Sequence, residues 1–186
     1  PGRSDPAHSF VIDRKGIYFD ARGDSALFDL IDATELEAAG LARASLAMTF
    51  LRDNRLSKYN NAPLIGLAEA GVSTDRPFVL LVDQVAGDAS IAGALADEGA
   101  FAAMVAHARS HYPQATLVAR THPAARNSLI LPAAARLGVD IVTPGRMNPW
   151  PLLEQAEAVY TVSSQLGFEA LMAGTRVHTF GVTYYS

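Results

Sequence analysis

From residue 77 onward, short apolar runs alternate with stretches of helical spacing. Residues 78–82, 115–119, 140–143, 158–162 and 176–180 read as strands, and 101–111, 124–137, 150–155 and 165–173 as the helices between them. Regular strand–helix alternation commits a chain to parallel pairing, because a parallel neighbour is reached only through a crossover, and the usual crossover is a helix. The strands are apolar throughout and do not alternate with polar residues, as expected where helices cover both faces of a sheet. The fold expected is α/β: a doubly wound, Rossmann-like parallel sheet.

The first part of the chain has a different pattern. Residues 10–13 and 17–20 flank Arg14-Lys15-Gly16 and read as a β-hairpin whose glycine takes positive φ. Asp24 or Ser25 is placed to cap a short helix ending near Ile31, and Thr34 with Glu37 has the spacing of a capping box opening a longer helix to about Asn54. On that helix Leu36, Leu41, Leu46, Phe50 and Leu51 share one face. Between Arg55 and Arg76 the pattern is lost among Asn60-Asn61, Pro63 and Gly66. The chain therefore divides into 1–76, a hairpin, helices and a connection, and 77–186, the alternating unit.

Several function classes lose support from composition. At 186 residues and 49% hydrophobic, the chain can bury a substantial core. A net charge of −4 with scattered Lys and Arg gives no basic stripe, which argues against nucleic acid as a partner. The absence of cysteine removes disulfides, thiolate metal sites and cysteine nucleophiles together. Neither a long apolar span nor a signal peptide is visible, so the chain reads as cytoplasmic. It opens on Pro1 and closes on Tyr184-Tyr185-Ser186 just after an apolar strand, and so reads as a piece of a longer protein.

Polar groups gather at three strand ends. Ser163 and Ser164 fall between a strand and a helix, at the expected N-cap, with Gly167 keeping the first turn slim; free N–H groups there suit a phosphate. His122, held extended by Pro123, and the loop Asp83-Gln84…Asp88 close two other strands. In an open parallel sheet the carboxyl ends of strands line one crevice, so these groups can meet. His122 reads either as an ordinary loop histidine or as a ligand contact, and Asp83 and Asp88 as turn formers and caps or as a carboxylate beside a reacting sugar carbon. Gln84 is either a backbone clamp or an orienter of hydroxyls, and Glu169 either a solvated carboxylate favoured by the helix dipole or a partner for a ribose. Asp24, Asp53, Lys58 and Tyr59 read as structural or surface residues. His107, His111 and His178 are assigned no metal, since a third ligand at ligating spacing is missing. The phosphate-loop, GxGxxG and GxSxG motifs are all absent from the sequence.

Four segments resemble a known family in collinear order: SFVIDRKGIYFDA (9–21), VDQVAGDASI (82–91), RTHP (120–123) and VYTVSSQLGFEALMAGTRVHTFGV (159–182). They are similar to the capsule polysaccharide biosynthesis family, the bacterial β-Kdo transferases that build the glycolipid linker of capsules. The resemblance implies a GT-B-like arrangement of two Rossmann-like halves across a cleft. Residues 77–186 would be the donor half that binds CMP, and 1–76 part of the acceptor-side half. It further implies CMP-Kdo as donor, a lipid-linked Kdo glycolipid as acceptor with peripheral membrane contact, and neither metal nor cofactor.

By the same resemblance His122, Ser163 and Ser164 contact the CMP phosphate, Glu169 its ribose and Gln84 the Kdo unit, and Gln165 is a further substrate-binding residue. Asp88 would be the nucleophile of a reaction that retains configuration. The chain departs from the family in lacking its acidic-acidic-glycine element and its Ala-Gly-Trp-Gly segment, which implies a donor half inactive alone. Two alternatives remain: a non-catalytic module of capsule assembly or export, and a UDP-sugar epimerase of GT-B-like fold.

Overall fold

The computed structural model describes residues 11–58, 60–124, 127–143 and 145–186. Phe10, at the start of the expected hairpin, and Tyr59 lie outside the described residues. Twelve elements follow in the order α1 (Ala26–Ala33), α2 (Ala38–Asp53), β1 (Phe78–Val82), α3 (Ala89–Gly93), α4 (Gly99–His111), β2 (Thr116–Arg120), α5 (Ile130–Leu137), β3 (Ile141–Thr143), α6 (Trp150–Gln155), β4 (Ala158–Thr161), α7 (Leu166–Ala173) and β5 (Arg176–Thr179). The five strands form one parallel sheet in the order β3-β2-β1-β4-β5. The doubly wound α/β fold expected from the sequence is the fold observed.

Alternate side chains of each strand face opposite layers, so the sheet has two cores. On one side Val79, Leu81, Leu117, Ala119 and Tyr160 pack with Phe101, Met104, Val105 and Ala108 of α4 and Ile130 of α5. On the other, Phe78, Leu80, Val82, Val118 and Val159 pack with Leu152 and Leu153 of α6 and Leu166 and Ala170 of α7. Leu67 and Val72, from the irregular connection, complete this second core. The connection is also pinned by hydrogen bonds: Asn148 Nδ2 donates to the Arg55 carbonyl at 3.0 Å and Trp150 Nε1 to the Leu56 carbonyl at 2.9 Å. Those bonds hold residues 55–58 over the start of α6.

Three local expectations fail. The hairpin does not form, and the described residues 11–20 contain no strand. The Asp13 carboxylate takes the amides of Lys15 (2.8 Å) and Gly16 (3.3 Å) through Oδ1 and that of Ala26 (2.7 Å) through Oδ2. A short acidic side chain thus offers the backbone an alternative to a strand ladder. The capping box does not form either: α2 begins at Ala38, Glu37 makes no side-chain cap bond, and the Thr34 amide closes α1 onto the Leu30 carbonyl. Ser25 does cap α1, accepting from Phe28 N at 3.1 Å. Finally, the helix expected over 124–137 starts only at Ile130, where Asp83 Oδ1 accepts from Leu129 N (3.0 Å) and Ile130 N (3.1 Å). Asp83 is therefore a buried cap and does not line the crevice.

Helices α1 and α2 bury no residue, and Leu36, Leu41, Leu46 and Phe50 are each more than half exposed. No described helix is long and apolar enough to cross a membrane.

Candidate functional site

In a doubly wound sheet the chain leaves the carboxyl ends of neighbouring strands in opposite directions where the strand order reverses, and a crevice opens there. Here the reversal lies between β1 and β4. Gln84, just past β1, reaches across it: its Oε1 accepts from Ser163 N at 2.9 Å, and its Nε2 donates to Ser163 Oγ at 2.9 Å and Ser90 Oγ at 3.3 Å. With Ser90 Oγ and Ser163 Oγ 3.2 Å apart, the three side chains form a closed network. Gln84 is buried and clamps the backbone at Ser163.

Asp88 performs the capping role open to it: its Oδ1 accepts from Ser90 N at 3.0 Å at the start of α3. It is half-buried and lines the crevice through the same loop.

At the junction of β4 and α7, the expected N-cap is displaced by one or two residues. Gln165 occupies the N-cap position without a side-chain bond, Ser164 Oγ accepts from Leu166 N at 3.3 Å, and Thr161 Oγ1 accepts from Ser164 N at 3.0 Å. Ser163 is taken by Gln84 instead. Gly167 is required sterically, since a Cβ there would lie 2.6 Å from the Tyr185 hydroxyl. That hydroxyl donates to the Ser164 carbonyl and ties the end of the chain to the first turn of α7.

His122 Nδ1 accepts from Ala124 N at 3.1 Å, so the neutral ring carries its proton on Nε2. Burial, then the charges of Lys58 and Arg120, hold the imidazole below its ordinary value, against a weaker pull from Asp83 and Asp88. Arg120 is itself buried, with Nη2 donating to the carbonyls of Gly145 (2.8 Å) and Met147 (3.0 Å). Its charge reaches the crevice from behind.

Glu169 is not the solvated carboxylate that its place in the first turn of α7 suggests. It is buried; Oε1 accepts from Lys58 N at 3.2 Å, and Oε2 meets no partner. Burial pushes its carboxyl above the ordinary range, opposed in decreasing order by the Ser57 hydroxyl, the Lys58 amide, and the charges of Arg120 and Lys58.

Gln84, Asp88, His122, Ser163, Ser164, Gln165 and Glu169, the seven residues singled out from sequence, all line one cavity of about 180 Å³. Sequence reasoning missed part of the wall: Tyr18 and Phe19, Lys58, and Thr183, Tyr184 and Tyr185. Tyr18 meets Tyr184 edge to face at 5.3 Å, which joins the two ends of the described chain. The aromatic pair at 184–185 is visible in the sequence, but nothing local distinguishes Lys58 from a surface lysine. Chemically the cavity offers hydroxyls, a helix N-terminus, an imidazole, a lysine, a buried carboxylate and aromatic rings. Such a set suits a phosphorylated ligand with a polar sugar. Among the described residues no three of His, Cys, Asp or Glu converge as metal ligands.

Comparison with known proteins agrees with the resemblance. Residues 6–186 match the family described as capsule polysaccharide biosynthesis protein. The capsule polysaccharide modification protein LipA of Neisseria meningitidis serogroup B is 36% identical over 187 residues, covering 97% of this chain and 26% of LipA. The lipopolysaccharide-processing protein LpsZ of Rhizobium meliloti is 34% identical, covering 96% of this chain and 41% of LpsZ. Among solved structures, the beta Kdo 2,4 transferase of Thermosulfurimonas dismutans KpsC matches with a TM-score of 0.80 at 34% identity, over 94% of this chain and 55% of that one. The beta Kdo 2,7 transferase of the same KpsC gives a TM-score of 0.69 at 25% identity, over 94% and 53%. The chain thus spans about a quarter of LipA and about half of each solved transferase chain. With the family match covering nearly the whole sequence, the chain belongs to the capsule polysaccharide biosynthesis protein family.

Proposed function

We propose that this chain carries the donor side of a retaining β-Kdo transferase that uses CMP-Kdo and transfers Kdo to a lipid-linked Kdo glycolipid. The observation that supports this reading most is the convergence of Asp88, His122, Ser163, Ser164 and Glu169 on one cavity at the strand-order reversal. The similarity to the solved KpsC transferases points the same way. On this reading the CMP phosphate lies at the N-terminus of α7, taking hydrogen bonds from the Ser163 and Ser164 hydroxyls, with Gln165 beside them, and from His122 Nε2–H. Gln84 acts by fixing Ser163 and the loop that carries Asp88, beside the Kdo unit. Glu169 faces the ribose.

In the proposed reaction Asp88 attacks the anomeric carbon of Kdo from the face opposite the phosphate. The C–O bond to CMP breaks, and its electron pair leaves with the phosphate. The charge gained by that phosphate is met by His122, Lys58 and the helix N-terminus, without a cofactor. An acceptor hydroxyl, giving up its proton to a general base on the acceptor side, then displaces the Asp88 carboxylate with a second inversion, so configuration is retained. Residues 1–76 would form part of the acceptor-side half, and the lipid acceptor would bring the protein to the cytoplasmic face of a membrane.

A thermal-shift titration with CMP and UDP, on wild type and His122→Ala, tests the donor assignment. Stabilisation by CMP that exceeds that by UDP and shrinks in the variant is the expected result. A preference for UDP would turn the reading toward a UDP-sugar enzyme, and no shift with either nucleotide would sink the donor-site assignment.

A further inference from the structure

The two residues before His122 both hold the segment that follows β3. Arg120, the last residue of β2, is 1% exposed, and its Nη2 donates to the carbonyls of Gly145 at 2.8 Å and Met147 at 3.0 Å. Thr121 Oγ1 accepts from Gly145 N at 3.2 Å and donates to the Thr143 carbonyl at 3.3 Å, which also accepts from Thr121 N at 3.3 Å. The amide and the carbonyl of Gly145 are thus both taken, one by Thr121 and the other by Arg120.

The same grip draws Gly145 against the backbone of the residues that follow. A Cβ there would collide with the Thr121 carbonyl oxygen and lie 2.6 Å from Pro123 N and 2.9 Å from the His122 carbonyl carbon. Gly145 therefore lies flat against the peptide units on either side of His122, and no side chain fits between them. Strand β2 ends at Arg120 and Pro123 has no amide proton, so the sheet ladder stops short of His122 and the Gly145 segment backs it instead. A guanidinium withdrawn from water is a costly way to fill a core position, and an apolar side chain of like size would serve stability as well. What Arg120 supplies is reach: one nitrogen at the end of a long side chain serves two carbonyls.

We propose that Arg120 and Gly145 are positioning residues for His122: the arginine fixes segment 145–147, and its glycine sets where the His122 backbone lies and so where Nε2–H points. This rests on the CMP reading above, in which that N–H meets the phosphate. Neither residue lines the cavity.

The test is calorimetric titration of the 186-residue chain with CMP, for wild type, Gly145→Ala and Arg120→Lys, each also in a His122→Ala background. The NMR signals of the His122 ring are followed in the unliganded chains that contain it. Both substitutions keep a positive charge at position 120, so a change in affinity reports geometry and not the loss of a cation. Lysine is one bond shorter than arginine and does not reach both carbonyls. Gly145→Ala is expected to weaken CMP binding about tenfold, the scale of one charge-assisted hydrogen bond, and Arg120→Lys by less. Either cost is expected to shrink below about twofold in the His122→Ala background, and the His122 ring signals to shift in both variants. Should Gly145→Ala fail to fold, Arg120→Lys carries the same cycle. Costs that persist undiminished without His122, or affinity and ring signals unchanged in the variants, overturn the proposal while leaving the CMP site standing. A folded wild type that binds no CMP overturns the proposed function, and the ring signals then decide by themselves whether Arg120 and Gly145 hold His122.

Discussion

Gln84 grips Ser163 by both backbone and side chain: one carboxamide accepts from the Ser163 amide and donates to the Ser163 hydroxyl, each at 2.9 Å, across 79 residues of sequence. The grip joins the loop after β1 to the loop after β4 at the point where the strand order reverses. Replacing Gln84 with Leu keeps the side chain's bulk but leaves the Ser163 amide without its partner. The expected loss is about 2 kcal/mol of stability, read as a lower urea midpoint with an unchanged slope. CMP affinity is expected to fall as well, because Ser163 loses its orientation. A variant as stable as wild type would show that the clamp is dispensable.

Asp88 has one observed role, the cap, and one proposed role, the nucleophile, and substitution can separate them. Asparagine retains an oxygen to accept from Ser90 N, whereas alanine does not. Asp88→Asn is expected to melt within about 0.5 kcal/mol of wild type, and Asp88→Ala to lose about 1 kcal/mol with the cap. If Asp88 is the nucleophile, both variants lose transfer from CMP-Kdo by roughly a thousandfold or more. Activity surviving in Asp88→Asn would leave Asp88 as a cap alone.

Gly167 and Tyr185 are matched in volume. A Cβ at 167 would meet the Tyr185 hydroxyl at 2.6 Å and its ring at 2.8 Å, displacing the phenol from the Ser164 carbonyl. Gly167→Ala is expected to cost about 2 kcal/mol. In a Tyr185→Ala background most of that cost should vanish, because the atoms that clash are gone; a double-mutant cycle by chemical denaturation reads the coupling. Purely additive costs would mean that the clash is relieved elsewhere.

The Glu169 carboxyl makes stability depend on pH in an unusual direction. Burial raises its folded value above the ordinary 4.5, so the unfolded chain releases this proton more readily. The stability tied to the protonated form is complete below pH 4.5 and is lost as pH rises through the folded value. Glu169→Gln cannot ionise, and its melting temperature relative to wild type is expected to climb as pH is raised from 4.5 toward neutrality. A difference that stays flat across that window would show that the carboxyl titrates as an ordinary surface group. A melting series in buffers of matched ionic strength decides.

The parallel sheet was legible in the sequence because its cause is local. A strand buried on both faces must be apolar along its length, and β1 through β5 fall within one residue of the runs read from the sequence at either end. The strand-end residues were legible for the same reason, since a parallel sheet sends all its carboxyl ends to one edge. Tertiary structure decided what each of those residues does. Asp83 and Asp88 look alike in sequence, yet one is buried capping α5 and the other lines the cavity.

Glu169 reads as a solvated helix-start carboxylate until Lys58, just after Arg55 and Leu56 that Asn148 and Trp150 pin, meets it through its amide. The hairpin failed because Asp13 bonds an amide thirteen residues away, and no local pattern encodes such a partner. Sequence alone thus determined the sheet and the edge where polar groups collect, which follow from periodicity and burial. Which carboxylate is covered, which serine is clamped and which chain end closes the cavity were settled by contacts between residues distant in sequence, and these form only when the chain is folded.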